Sequence, residues 1–106
     1  ICPGLAAMTD YLHEKTALLP KVRLKNTSEL IGKSTVQAMQ IGAVQGYRGL
    51  ISNIIMGLKK TLQTKKINVI ATGGCAKMIA TSLPETTAVQ PLLTLEGLRL
   101  ASSRIS

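Results

Sequence analysis

The chain has 106 residues, 45% of them apolar, but its only aromatics are Tyr11 and Tyr47, so any core rests on Leu, Ile, Val, Met and Ala. That length suits one domain or part of one. The net charge of +8 is spread along the chain with no interleaved base-stacking aromatics, no apolar run nears the ~20 residues of a bilayer span, and Cys2 and Cys75 belong to no Cys-x-x-Cys or Cys/His cluster. These features argue against a nucleic-acid or membrane partner, a zinc site and a disulfide framework, and they fit a reducing, cytoplasmic setting.

In chain order, Leu5, Met8 and Leu12 fall on one face of a helix expected over residues 4–16. Pro3 suits the turn into it. The opening "ICPGL" reads as the tail of a strand entering that helix, so the chain is expected to be a fragment of something longer. Leu19 and Pro20 close the unit. The following "KVRLKN", residues 21–26, reads as a short edge strand or an extended connector.

The longest helix starts at Ser34, which forms an S-x-x-Q capping box with Gln37. Thr35 sits just inside that start, where capping the backbone is the ordinary reading of its hydroxyl. Val36, Met39, Tyr47, Leu50, Ile51, Ile54, Ile55, Leu58 and Leu62 then keep a helical period. Ala38, Gly42, Gly46 and Gly49 recur on another face. Each glycine costs a helix about 1 kcal/mol relative to alanine. The unbroken phase of the apolar stripe favours close approach of another helix there over a break near Gly46–Gly49. Lys59, Lys60, Lys65 and Lys66 surround the helix end, where cations offset the partial negative charge of the carbonyls.

A β-branched strand is expected over residues 67–71, then a helix over 75–82 ended by Pro84. "TTAVQPLL" reads as extended and broken by Pro91, and Thr94 as the cap of a last helix through Leu95, Leu98 and Ile105. The order of elements is an α/β pattern.

Few residues suggest chemistry. Gly73 and Gly74 end the strand of "VIATGGCA". Glycines there permit positive φ and let a ligand approach the backbone, so the pair is either a structural turn or a wall for a nucleotide. Neither G-x-G-x-x-G nor G-x-x-x-x-G-K-[ST] is present. Cys75 reads as a packing residue and His13 as a surface histidine. Asp10, Glu14, Glu29, Glu85 and Glu96 form no carboxylate pair, so no catalytic base and no metal ligand is assigned.

Four stretches carry a resemblance. "ICPG" at 1–4 is followed by Met8 and by "TALLP" at 16–20, "IGKSTVQAMQIGAVQGYRGLI" runs from 31 to 51, "VIATGG" from 69 to 74, and "PLLTLEGLRL" from 91 to 100. In this order and spacing they resemble the C-terminal half of the type III pantothenate kinases, also described as Bvg accessory factor-type proteins. The resemblance implies a ribonuclease H-like, actin-like ATPase fold, of which residues 1–106 would be a partial C-terminal domain with a long glycine-bearing helix and short strands.

It also implies phosphoryl transfer from ATP to pantothenate, the first step of coenzyme A biosynthesis, in a homodimer using a divalent metal and a monovalent cation such as potassium. By position, Thr35 would touch pantothenate bound mainly by the neighbouring subunit. Gly73 and Gly74 would line the adenosine side of the cleft, and Gly42 and Gly46 the dimer interface. The sequence departs from the family at Ser34, usually Asn, and at Ile41–Gly42, usually Ser-Gly. The family's D-x-G-N-T, G-x-D-R and D-x-G-T-A motifs, which bring the phosphate loop, catalytic aspartate and cation contacts, do not occur in these 106 residues. The chain by itself is therefore expected to be inactive. The alternative reading is a non-catalytic regulatory or interaction module.

Overall fold

The computed structural model describes residues 1–86 and 88–105, in two compact units, Ile1–Lys65 and Lys66–Ser106.

The first unit consists of helix α1 (Leu5–Lys15), a connector without regular structure, and helix α2 (Thr35–Thr61). On α1 the buried pair is Leu5 and Thr9, while Leu12 is exposed. The contact face is thus an i, i+4 ridge turned away from the expected Leu5–Met8–Leu12 stripe. Burying Thr9 leaves no orphan hydroxyl, because it donates to the Ala6 carbonyl at 3.2 Å. His13 lies on the surface, its Nδ1 paired with the Leu19 carbonyl at 2.8 Å. "KVRLKN" is connector rather than strand, anchored by buried Val22.

Helix α2 runs unbroken for 27 residues, about 40 Å at 1.5 Å per residue. The Ser34 hydroxyl accepts from the Gln37 amide at 3.1 Å, as the capping box requires. The return bond differs from the expected box: Gln37 Oε1 accepts from the Lys33 amide at 2.6 Å, one residue before the cap. Burial is concentrated in the first half of α2, at Met39, Ile41, Ala43, Val44 and Arg48, with Ile55 alone beyond them. Of the expected apolar stripe, Val36, Ile54, Leu58 and Leu62 are exposed. For Ile54, Leu58 and Leu62 the reason is that α1 and the connector pack against the first half of α2.

The C-terminus of α2 closes in a Schellman motif. The Thr64 amide donates to the Lys59 carbonyl at 3.1 Å and the Gln63 amide to that of Lys60 at 3.2 Å. Gln63 holds φ 53°, the left-handed position that glycine usually takes.

The second unit contains β1 (Ile70–Ala71), α3 (Ala76–Ala80), β2 (Ala88–Val89) and α4 (Leu93–Ile105). The two strands pair in parallel, Ile70 opposite Ala88 and Ala71 opposite Val89, with α3 as the crossover between them. This β-α-β unit is the α/β element of the chain. Its core is Ile79, Ala80 and Leu83. β1 is shorter than the expected 67–71, and β2 ends where the Gln90 amide bonds the Ala71 carbonyl at 2.8 Å and Pro91 follows. Thr87, in the expected extended segment, lies outside the described residues. Helix α4 starts at Leu93, so Thr94 lies inside it and does not cap it. Pro91 presets the first turn, and the Leu93 amide reaches back to the Gln90 carbonyl. No residue of α4 is buried.

The Schellman turn yields a stability test. Gln63→Gly removes the Cβ from a left-handed position and is expected to stabilise the chain by about 0.5–1 kcal/mol. Thermal unfolding followed by circular dichroism measures it, and an unchanged or lower midpoint counts against strain at Gln63.

Candidate functional site

In the first unit an open groove of about 1120 Å³ runs between α1 and the start of α2. One wall carries Met8, Tyr11, Leu12 and Leu19; the other carries Thr35, Ala38, Met39, Gly42 and Ala43. The lining is mostly apolar, and its charged members are the acids Asp10 and Glu14, with no lysine or arginine. Mostly apolar concavities with a few placed polar groups are the usual form of a small-molecule site. Of the residues singled out from the sequence, Thr35 and Gly42 meet in this groove, and Gly46 does not line it.

Thr35 is the first residue of α2. Its neighbour Ser34 does the capping, and the Thr35 hydroxyl has no hydrogen-bond partner among the described residues. The expected default, in which Thr35 caps the backbone, is therefore replaced by a free hydroxyl at the mouth of the groove.

Gly42, Gly46 and Gly49 are exposed, and a Cβ added at any of them meets nothing within 4 Å. The helix is not broken there. Gly42, Gly46 and Gly49 together cost α2 about 3 kcal/mol relative to alanine, and an added Cβ meets open space at each of them.

Sequence reasoning missed the side chains that hold the connector onto α2. Arg48, only 5% exposed, donates from Nη1 to the Thr27 carbonyl at 3.0 Å and from Nη2 to Asn26 Oδ1 at 2.6 Å. Gln45 donates to the same Thr27 carbonyl at 2.9 Å, and Gln40 to the Arg23 carbonyl at 3.0 Å. A signal was present: Arg48 continues the Ile41–Val44 stripe, a charge in phase with buried apolar residues. Gly32 completes the strap, since a Cβ there would lie 2.8 Å from Ala38 Cα.

In the second unit, Gly73 follows β1 with φ 106°, a conformation that favours glycine, while Gly74 carries no such constraint. The Ala76 amide donates to the Gly73 carbonyl at 3.2 Å, tying the turn to α3. Both glycines are exposed with open space around them, and Cys75 is half-buried behind them. The turn therefore has a structural cause in Gly73 and an accessible backbone face.

Among the described residues, no three of His, Cys, Asp and Glu cluster in a way that would hold a metal ion. No helix among them is long and apolar enough to cross a membrane.

The sequence profile described as type III pantothenate kinase matches residues 1–57. Proteins named type III pantothenate kinase are similar over nearly the whole chain. That of Akkermansia muciniphila is 49% identical across 96% of the chain and 42% of its own length. That of Methylacidiphilum infernorum is 46% identical across 94% and 37%, and that of Listeria innocua 40% across 98% and 40%. The chain belongs to the type III pantothenate kinase family. It spans about two fifths of the length of these curated relatives.

The close seating of Gly32 is testable. Gly32→Ala forces the connector off the first turn of α2 and is expected to destabilise the first unit by about 1–3 kcal/mol. Tryptic cleavage after Lys33 should then accelerate, and unchanged cleavage and stability would contradict the contact.

Proposed function

We propose that this chain is the C-terminal part of an ATP-dependent pantothenate kinase, with Thr35 as its contact to pantothenate. The observation that carries the reading is the division of labour at the start of α2: Ser34 caps the helix, and the Thr35 hydroxyl is left unpartnered in an apolar groove. Pantothenate offers hydroxyl, amide and carboxylate groups to such a contact. The groove's acids, Asp10 and Glu14, are unsuited to a carboxylate, and no cation lines it. This supports a site in which Thr35 contributes one hydrogen bond and a neighbouring subunit supplies the rest.

The bare glycine face of α2 supports a homodimer in which Gly42 and Gly46 meet the second copy. In the second unit, the turn at Gly73 and Gly74 serves as the wall against the adenosine of ATP, in a ribonuclease H-like, actin-like ATPase architecture. Phosphoryl transfer rests on positioning and charge neutralisation. The divalent metal, a monovalent cation such as potassium and the groups that hold the phosphates belong, on this reading, to the rest of the kinase, and these 106 residues alone do not phosphorylate pantothenate. A cytoplasmic setting fits such an enzyme.

The substitution of Ile41 for the family's serine leaves room for the regulatory-module reading. Ile41 is buried and does not line the groove, so the change removes no groove hydroxyl and the kinase reading is favoured.

In the full-length kinase, Thr35→Ala is expected to raise the KM for pantothenate about 3–10-fold, the worth of one hydrogen bond, with little change in the KM for ATP. Steady-state kinetics with each substrate varied decides it, and an unchanged pantothenate KM removes Thr35 from the site. Gly46→Leu puts a bulky side chain on the glycine face and is expected to shift the protein from dimer to monomer in sedimentation. A dimer of unchanged strength would place the interface elsewhere.

A further inference from the structure

We infer that Arg48 is a positioning residue for pantothenate binding: by clamping Thr27 and Asn26 it holds the connector that leads into Thr35. The inference rests on the reading of Thr35 given above.

Residues 28–36 are all exposed, so no burial of their own fixes this run. It is held at two ends. Upstream, Arg48 and Gln45 share the Thr27 carbonyl, and Arg48 reaches on to Asn26 Oδ1. Downstream, Gln37 takes the Lys33 amide and Gly32 lies against Ala38. Between these points, among the described residues, the hydrogen bonding is local, from the Glu29 amide to Thr27 Oγ1 at 3.1 Å. The downstream contacts are made by the first turn of α2 itself, the part of any helix that frays most readily. The upstream clamp ties the entering chain to the middle of α2.

Losing Arg48 leaves Gln45 alone on the Thr27 carbonyl, loosens the connector from Asn26 onward and weakens the support of the helix end that carries Thr35. The fixed fork of guanidinium reaches two acceptors at once, which a lysine ammonium cannot reproduce at the same geometry. A buried arginine is an expensive means of tying down a loop, and its placement at the strap's midpoint suits control over where α2 starts.

The test uses the full-length kinase. Arg48→Met keeps the packing volume and removes the fork; Arg48→Lys keeps the charge alone; Asn26→Ala removes one of the bonds from the exposed side. Arg48→Met is expected to raise the pantothenate KM about fivefold, with the ATP KM and kcat within about twofold, and Arg48→Lys to recover only part of the loss. Hydrogen exchange at the Ala38 amide, the first helical bond of α2, is expected to quicken in step. A pantothenate KM unchanged while trypsin cuts the connector faster overturns the inference, as does an equal loss in both KM values and kcat. Should Arg48→Met fail to fold, Asn26→Ala is read by the same criteria. Thr35→Ala is measured alongside. If it leaves the pantothenate KM unchanged, the substrate reading fails by itself, and exchange at Ala38 in the Arg48 variant alone decides whether the strap governs the helix start.

Discussion

The bidentate reach of Arg48 from α2 to Thr27 and Asn26 is the interaction on which the first unit depends. A connector from Thr16 to Ser34 without regular structure has a large conformational entropy to lose and buries little apolar surface besides Val22. Side-chain bonds from one rigid helix take the place of that missing burial. Hydrogen bonds from a charged donor are each worth about 1.5–3 kcal/mol, and two of them leave from one side chain that is itself nearly sealed from water. With the connector fixed, the entry to α2 is set, the cap forms at Ser34, and the groove gains its Thr35 wall.

The surfaces left bare are as informative as those that are covered. Apolar residues line the second half of α2 at Ile54, Met56 and Leu58, its C-cap at Leu62, and α4 at Leu95, Leu98 and Leu100, all exposed. The glycine face of α2 is bare as well. In a chain that spans about two fifths of its relatives' length, the proposed kinase and its second subunit give these surfaces something to meet. Under that proposal the groove is one component of a composite site, to which it brings the Thr35 hydroxyl and apolar walls.

How much could be read in advance varied with the range of the interaction. The long helix, its Ser34 cap and the strand–helix order of the second unit were legible, because caps, periodicity and β-branched runs act within a few residues. The rotated face of α1 was not, since Thr9 replaces Leu12 only through what lies opposite it. The strap was hidden for the same reason: the bonds from Gln40, Gln45 and Arg48 cross 17 to 22 residues of sequence. Thr94 misled because Pro91 sets the start of α4 earlier than a side-chain cap would. Gly73 and Gly74 stood out in the sequence as either a turn or a ligand wall, and the role of Thr35 came from the resemblance. The structure describes their setting, with Ser34 rather than Thr35 capping α2 and a positive φ at Gly73.

The most direct test of the Thr35 assignment is a crystal structure of the full-length kinase with pantothenate bound. The expected result is pantothenate seated at the groove between α1 and α2 with an oxygen or nitrogen within about 3.2 Å of Thr35 Oγ1. Pantothenate bound elsewhere, with that hydroxyl still facing only solvent, would contradict it.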